Sequence, residues 1–142
     1  MGLVEAYDAS PSSGSELANI SSRGLVGTGD NVMIGGFIVE ATARFLTRGL
    51  GPTLAAPPFN VPGTLADPTL ELHNGSGDLL ASDDDWQTDG QANQIPANRK
   101  PPNAKESALL RTLTPGNYTA ILRGKNNTTG VALVEVYNLD AP

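Results

Sequence analysis

The chain ends much as it begins. Residues 2–8 read Gly-Leu-Val-Glu-Ala-Tyr-Asp, and residues 132–138 read Ala-Leu-Val-Glu-Val-Tyr-Asn, at a constant offset of 130 positions. Both segments alternate with the two-residue period of a strand. Leu3, Glu5 and Tyr7 therefore share one face and Val4 and Ala6 the other, matching Leu133, Glu135 and Tyr137 against Val134 and Val136. Two near-identical strands ask for equivalent places in a sheet, and one small domain has room for one of them. The spare strand is then expected in another domain, either the next repeat of an array or the next molecule. The simpler alternative is that two Val/Tyr-rich strands pair normally within one sheet.

Residues 9–15, Ala-Ser-Pro-Ser-Ser-Gly-Ser, have the composition of a flexible connector. They divide the chain into an N-terminal strand and linker over 1–15, a candidate donor strand, and a domain over 16–142. Strand-like stretches in that domain are short and separated by turn signals. They fall at Leu17–Ser21, Asn31–Glu40, Ala43–Leu50, Thr69–His73, Asp78–Ser82, Ala108–Leu113, Tyr118–Arg123 and Val131–Tyr137. Gly35-Gly36 inside the second stretch predicts a bulge or tight bend. Asn74-Gly75-Ser76-Gly77 reads as a hairpin turn, and Leu54 to Pro68 as a proline-rich loop with at most a short helix. Asp83 to Lys105 is the most polar and irregular part, and loops that long tend to be functional or mobile. Nowhere does a helical period emerge. The expectation is an all-β, antiparallel sandwich of jelly-roll type with about nine strands, the first exchanged with a neighbouring copy. Leu70, Leu72, Leu109, Leu113, Tyr118 and Leu122 alternate with polar neighbours and are expected in its core.

At 142 residues the chain is long enough for one self-sufficient core. A net charge of −6, with only 9 Lys and Arg and no basic cluster, argues against nucleic acid and anionic membranes as partners. No apolar run approaches the length of a membrane span, so membrane insertion is not expected. No signal-peptide pattern follows Met1, which implies a removed leader or a segment of a longer chain. Cysteine is absent, which removes disulfides, thiolate nucleophiles and Cys-ligated metals.

Chemistry concentrates in Asp83-Asp84-Asp85. Calcium takes six to eight oxygen ligands, and Asp83 and Asp85, with Glu106 added from a neighbouring segment, form the candidate metal set; Asp67 is a further source. The spacing is not that of an EF-hand, and the alternative is a solvated acidic loop. Trp86, the only tryptophan, is placed to anchor that loop. His73, the only histidine, falls on an outer face beside Glu71 with no nucleophile marked nearby, which makes a surface role the better reading. Gly27-Thr28-Gly29-Asp30-Asn31 lacks the Gly-Lys-Thr ending of a phosphate loop and is read as a turn.

Residues 67–86, with the later runs Glu106–Leu110, Leu113–Thr119 and Gly124–Tyr137, resemble the bacterial pre-peptidase C-terminal domain. The resemblance implies a small β-sandwich appended to secreted bacterial proteins, sometimes with bound calcium. The whole chain also resembles a tandem repeat of about 130 residues in large secreted bacterial proteins, carried by Leu17–Ser21, Gly35–Ile38, Arg48–Pro52 and the terminal Leu-Val-Glu-Val-Tyr. In such arrays one unit's closing strand runs into the next. Together these resemblances imply an extracellular or cell-surface location; they say little about activity, and because no nucleophile elbow, cysteine or carboxylate pair is marked in the sequence, no enzymatic activity is expected. The leading expectation is a structural subunit assembling head-to-tail with copies of itself by strand exchange. Its interface would be Leu3, Val4, Glu5, Ala6, Tyr7, Leu133, Val134, Val136 and Tyr137. The alternative is a calcium- or glycan-binding accessory module.

Overall fold

The computed structural model describes residues 17–142. Residues 2–8 and the connector 9–15 lie outside the described residues, and with them Leu3, Val4, Glu5, Ala6 and Tyr7. Eight strands are present among the described residues: β1 (Asn19–Val26), β2 (Met33–Val39), β3 (Ala43–Leu50), β4 (Pro68–Asn74), β5 (Leu79–Asp83), β6 (Ser107–Leu113), β7 (Gly116–Gly124) and β8 (Gly130–Asn138). They form two four-stranded sheets, ordered β1-β8-β3-β6 and β2-β7-β4-β5, and every neighbouring pair is antiparallel. The ninth strand of the sequence reading is residues 2–8. A single helical turn, α1 (Pro52–Ala55), follows β3.

The sandwich follows from period-2 patterning. Leu70, Leu72, Leu109, Leu113, Tyr118 and Leu122 all enter one core with Val26, Phe45, Leu65, Val134 and Val136. Each fully buried leucine contributes about 1.5–3 kcal/mol relative to exposure. The sheets press close where side chains are small. A Cβ on Gly49 of β3 would lie 2.3 Å from Leu122 Cδ1 of β7, so an alanine there would require the buried Leu122 side chain to shift.

Two local expectations are revised. Gly35-Gly36 makes no bulge: β2 pairs β7 in continuous register through Gly35↔Ala120 and Gly36↔Thr119. The irregularity falls instead in the pairing of β4 with β5, where Leu72↔Ala81 gives way to His73↔Leu79 and Leu80 of β5 is the extra residue. The hairpin that joins them closes as its sequence predicts. Asn74 Oδ1 accepts the backbone N–H groups of Ser76 and Asp78, and Gly77 adopts a φ of +85°, a left-handed conformation that glycine enters at no steric cost.

The polar stretch after β5 is a packed layer. Short 3-10 turns at Trp86–Thr88, Ala92–Gln94 and Ala97–Arg99 carry it across the outer face of the first sheet. There Trp86, Ala92 and Ile95 make a second core with Leu46, Ala108 and Leu110 of β3 and β6. Trp86 is thus the anchor its position predicted. Arg111 clamps the same layer through two bonds to Asp89, at 3.0 and 2.7 Å. Burial raises the Asp89 pKa, but Arg111 and the Gln91 N–H more than offset this and hold it below the usual value.

Candidate metal centre

Three connections meet at one end of the second sheet: the entry to β4, the exit from β5 and the loop after β7. The antiparallel register puts them there, since Leu70 stands opposite Asp83 and Pro68 opposite Gly124. Asp67, Asp84 and Asp85 extend from these connections. Each offers a carboxylate oxygen within 4.8 Å of those of the other two. Two lysines face the group. Lys125 Nζ lies 2.7 Å from Asp84 Oδ2, and Lys105 Nζ 3.4 Å from Asp67 Oδ2. The hydrogen bond to Asp84, together with the charges of Asp84, Asp67 and Asp85, raises the Lys125 pKa. The lysines leave the other sides of two carboxylates unserved: Asp67 Oδ1 and Asp84 Oδ1 are buried without a hydrogen-bond partner. A buried carboxylate oxygen without a donor is costly, and a hard cation meets the need of both oxygens at once.

The acidic residues named from the sequence separate into two kinds. Asp85 joins the cluster. Asp83 and Glu106 are placed elsewhere, and their carboxylates serve backbone donors. Asp83 continues the alternation of β5 into the interior, where its Oδ2 accepts the Ala108 N–H at 2.8 Å. It thereby ties the edge strand of one sheet to the edge of the other, and burial raises its pKa. Glu106 is fully buried. Its Oε1 accepts the N–H groups of Gly51 (3.2 Å) and Thr53 (2.8 Å), and its Oε2 accepts Thr53 Oγ1 (2.7 Å) and the Asn103 N–H (3.2 Å). The carboxylate thus caps the N-terminus of α1, whose first amides have no partner within the helix. Asp84, and not Asp83, stands with Asp67 and Asp85 in the cluster. Extending the β5 alternation through Asp83 was the signal that could have separated them.

The base of the site is rigid. Ser107 Oγ lies 2.6 Å from the Pro68 carbonyl, 3.1 Å from that of Asp83 and 2.8 Å from that of Asp84, joining the strands that position the cluster. His73 stands on the same sheet but belongs to another arrangement. Its Nε2 is 3.0 Å from Glu71 Oε2 and its Nδ1 is 3.1 Å from the Gly77 carbonyl. Both ring nitrogens therefore face acceptors, and the bond to Glu71 raises the pKa of the imidazole.

The sequence reading missed the polar network on the outer face of the first sheet. Arg48 of β3 donates to Glu135 Oε2 of β8 through both Nε (2.8 Å) and Nη2. The Tyr137 hydroxyl donates to Glu135 Oε1 at 3.0 Å, and Arg48 Nη1 donates to the Arg99 carbonyl at 2.7 Å. Two guanidinium groups lie against the Tyr137 ring, Arg99 at 4.6 Å and Arg48 at 5.1 Å from its centroid. Burial and the Glu135 charge raise the pKa of the phenol. The assembly residues named in β8 sit within this frame: Val134 and Val136 point into the core, while Leu133 and Tyr137 face outward half-buried. The backbone of β8 is paired on both sides by β1 and β3.

No protein-family model matches the chain, and no curated protein sequence matches it. Among solved structures, the fold is similar to the pre-peptidase C-terminal domain of collagenase from Bacillus anthracis, with a TM-score of 0.52. The superposition covers 84% of this chain and 89% of that one, at 16% sequence identity. The likeness is one of fold: an antiparallel β-sandwich of the pre-peptidase C-terminal type.

Proposed function

We propose that this chain is a non-catalytic β-sandwich module of an extracellular bacterial protein, and that it takes a calcium ion at Asp67, Asp84 and Asp85. The fold likeness supports the accessory-module reading over the fibre-subunit reading set out from the sequence. The observation that carries the metal is the convergence of three carboxylates, two of them with a buried oxygen lacking a donor. Calcium suits the site better than magnesium, because it tolerates irregular carboxylate geometry and fills its shell with carbonyls and water. A bound ion would draw together the β4 entry and the β5 exit, and so stiffen one end of the sandwich.

Thermal melting in excess calcium and in chelator tests this. Binding to the native state at one hundred times Kd stabilises by about 2.7 kcal/mol, which is roughly 5–10 °C for a domain of this size. Identical melting in the two conditions removes the ion from the reading. A second reading, a homopolymer built by exchange of residues 2–8, is favoured by their identity with residues 132–138 at Leu, Val, Glu and Tyr. Its test is electron microscopy of the full chain beside a chain lacking residues 1–9. Filaments from the first alone support it, and compact monomers from both dismiss it.

A further inference from the structure

The arginines of this chain divide by what their guanidinium groups hold. Arg44, Arg48 and Arg111 each hold a carboxylate, of Asp140, Glu135 and Asp89, and Arg123 donates to the Gly29 carbonyl. Arg23 is exposed on β1. Arg99 is half-buried, yet among the described residues its guanidinium has no carboxylate or carbonyl partner. Its place is fixed all the same. Its backbone N–H donates to the Pro96 carbonyl at 2.8 Å, and its own carbonyl accepts Arg48 Nη1 at 2.7 Å. The guanidinium lies over the Tyr137 ring, whose hydroxyl is held by Glu135 and Arg48. Contact with a ring face orients the cation and leaves its N–H fork without an acceptor.

Arg99 and Tyr137 stand in a cleft of about 310 Å³ on the outer face of the first sheet, walled also by Asn19, Asn98, Pro96 and Leu139. That volume is in the range of small-molecule sites. Antiparallel pairing sets Asn19 of β1 directly beside Tyr137 of β8. Asn19 Nδ2 donates to the Val136 carbonyl at 3.1 Å, and its Oδ1 remains an acceptor without a donor among the described residues. The exposed Asn98 amide is likewise unpartnered among them. The walls thus combine a cation, polar amides and apolar side chains, and they contain no carboxylate.

Each of these groups selects a ligand feature. A guanidinium fork matches a planar carboxylate bidentately. A phosphate ester carries more charge and asks for more than the single cation of this lining, in a chain of net charge −6. Amides exchange hydrogen bonds with hydroxyls in both directions. Pro96 and Leu139 give the apolar face of a sugar ring a place to lie. We infer that this cleft binds a carboxylated sugar, a hexuronate unit of an acidic polysaccharide, with Arg99 pairing its carboxylate and Asn19 and Asn98 its hydroxyls. The site lies on the opposite sheet from the acidic cluster and needs no cation there.

The test is titration of the full chain with trigalacturonate in chelator, followed through the side-chain Nε–H signal of Arg99 in nitrogen–proton correlation spectra. Chelator keeps metal bridging out of the result, so the outcome is separate from that of the calcium experiment. Galactotriose supplies hydroxyls without charge, and tri-glutamate supplies charge without the sugar. Trigalacturonate is expected to shift the Arg99 signal saturably, with both controls binding at least about tenfold more weakly. Arg99→Gln should lower the affinity for trigalacturonate at least about tenfold, read from the backbone signals of Asn19 and Asn98. Arg99→Lys should fall nearly as far, because an ammonium has no fork. Both keep the backbone carbonyl that Arg48 uses. Asn98→Asp, at an exposed position that carries no fold contact, puts a carboxylate in the wall and should abolish binding at an unchanged melting temperature. No saturable shift, equal binding of either control, or wild-type affinity in Asn98→Asp overturns the assignment.

Discussion

Two sets of charge stand beside opposite sheets, one buried and one half-buried, and they are built on different terms. Beside the first sheet, Glu135 and Glu106 have their oxygens occupied by donors fixed in the fold: Arg48 and the Tyr137 hydroxyl for one, and Gly51, Thr53 and Asn103 for the other. At the end of the second sheet, Asp67, Asp84 and Asp85 lie close together with two oxygens unserved and two exposed lysine side chains as counter-charges. The first set is complete without a ligand and belongs to the scaffold. The second is held in place by the scaffold and is incomplete. The end of α1 presents backbone donors to Glu106 at fixed positions, whereas the entry to β4 and the exit from β5 bring together the side chains of Asp67, Asp84 and Asp85. That contrast is what supports the proposed cation at the acidic end rather than at the more deeply buried Glu106.

The sharpest way to break this contrast is to empty the scaffold set. Glu106→Ala leaves four donors without an acceptor in a fully buried position. It is expected to cost about 4 kcal/mol, read as a fall in the urea midpoint at unchanged slope. Arg48→Ala strands the Glu135 carboxylate beneath the loop layer and is expected to cost about 3 kcal/mol. The paired change Arg48→Met with Glu135→Leu should recover most of that loss, because it removes both charges together. If the single and double changes cost the same, the network contributes packing alone.

The acidic end should behave in the opposite way. Asp84→Asn with Asp85→Asn is expected to change stability in chelator by less than about 1 kcal/mol, since few protein donors depend on these carboxylates. It should abolish the calcium-dependent rise in melting temperature. Lys125→Gln, which frees Asp84 Oδ2, should increase that rise, and calorimetric titration would show tighter calcium binding. A double-asparagine variant that melts far below wild type in chelator would place these residues in the scaffold after all.

The smallest effect is a dependence on pH at His73. Its folded pKa is raised by the bond to Glu71. The contribution is therefore fully present below the unfolded value of about 6.5 and is lost as pH rises through the higher folded value. Unfolding of wild type and His73→Gln at about pH 5.5 and about pH 8.5 should show the wild-type advantage only at the lower value. An advantage that grows with pH would assign the wrong sign to the pair.

Much of the architecture was legible in the sequence because strands carry their orientation in a period of two. Leu70, Leu72, Tyr118 and Leu122 point inward for that reason alone, and Asn74-Gly75-Ser76-Gly77 closes a hairpin through contacts four residues long. The likeness of residues 2–8 to residues 132–138 is likewise a property of sequence. Three-dimensional pairing decided the rest. Whether Asp83 or Asp84 joins Asp67 depends on where β5 stops alternating and which sheet edge lies across from it. Glu106 serves α1 because the fold brings residue 51 beside residue 106, and no local pattern records a contact 55 positions long. Arg48 meets Glu135 only because β3 and β8 are neighbours, at a separation of 87 positions. Local periodicity fixes which way a side chain faces. The identity of what it faces is set by strand order, which the chain acquires only when distant segments pack.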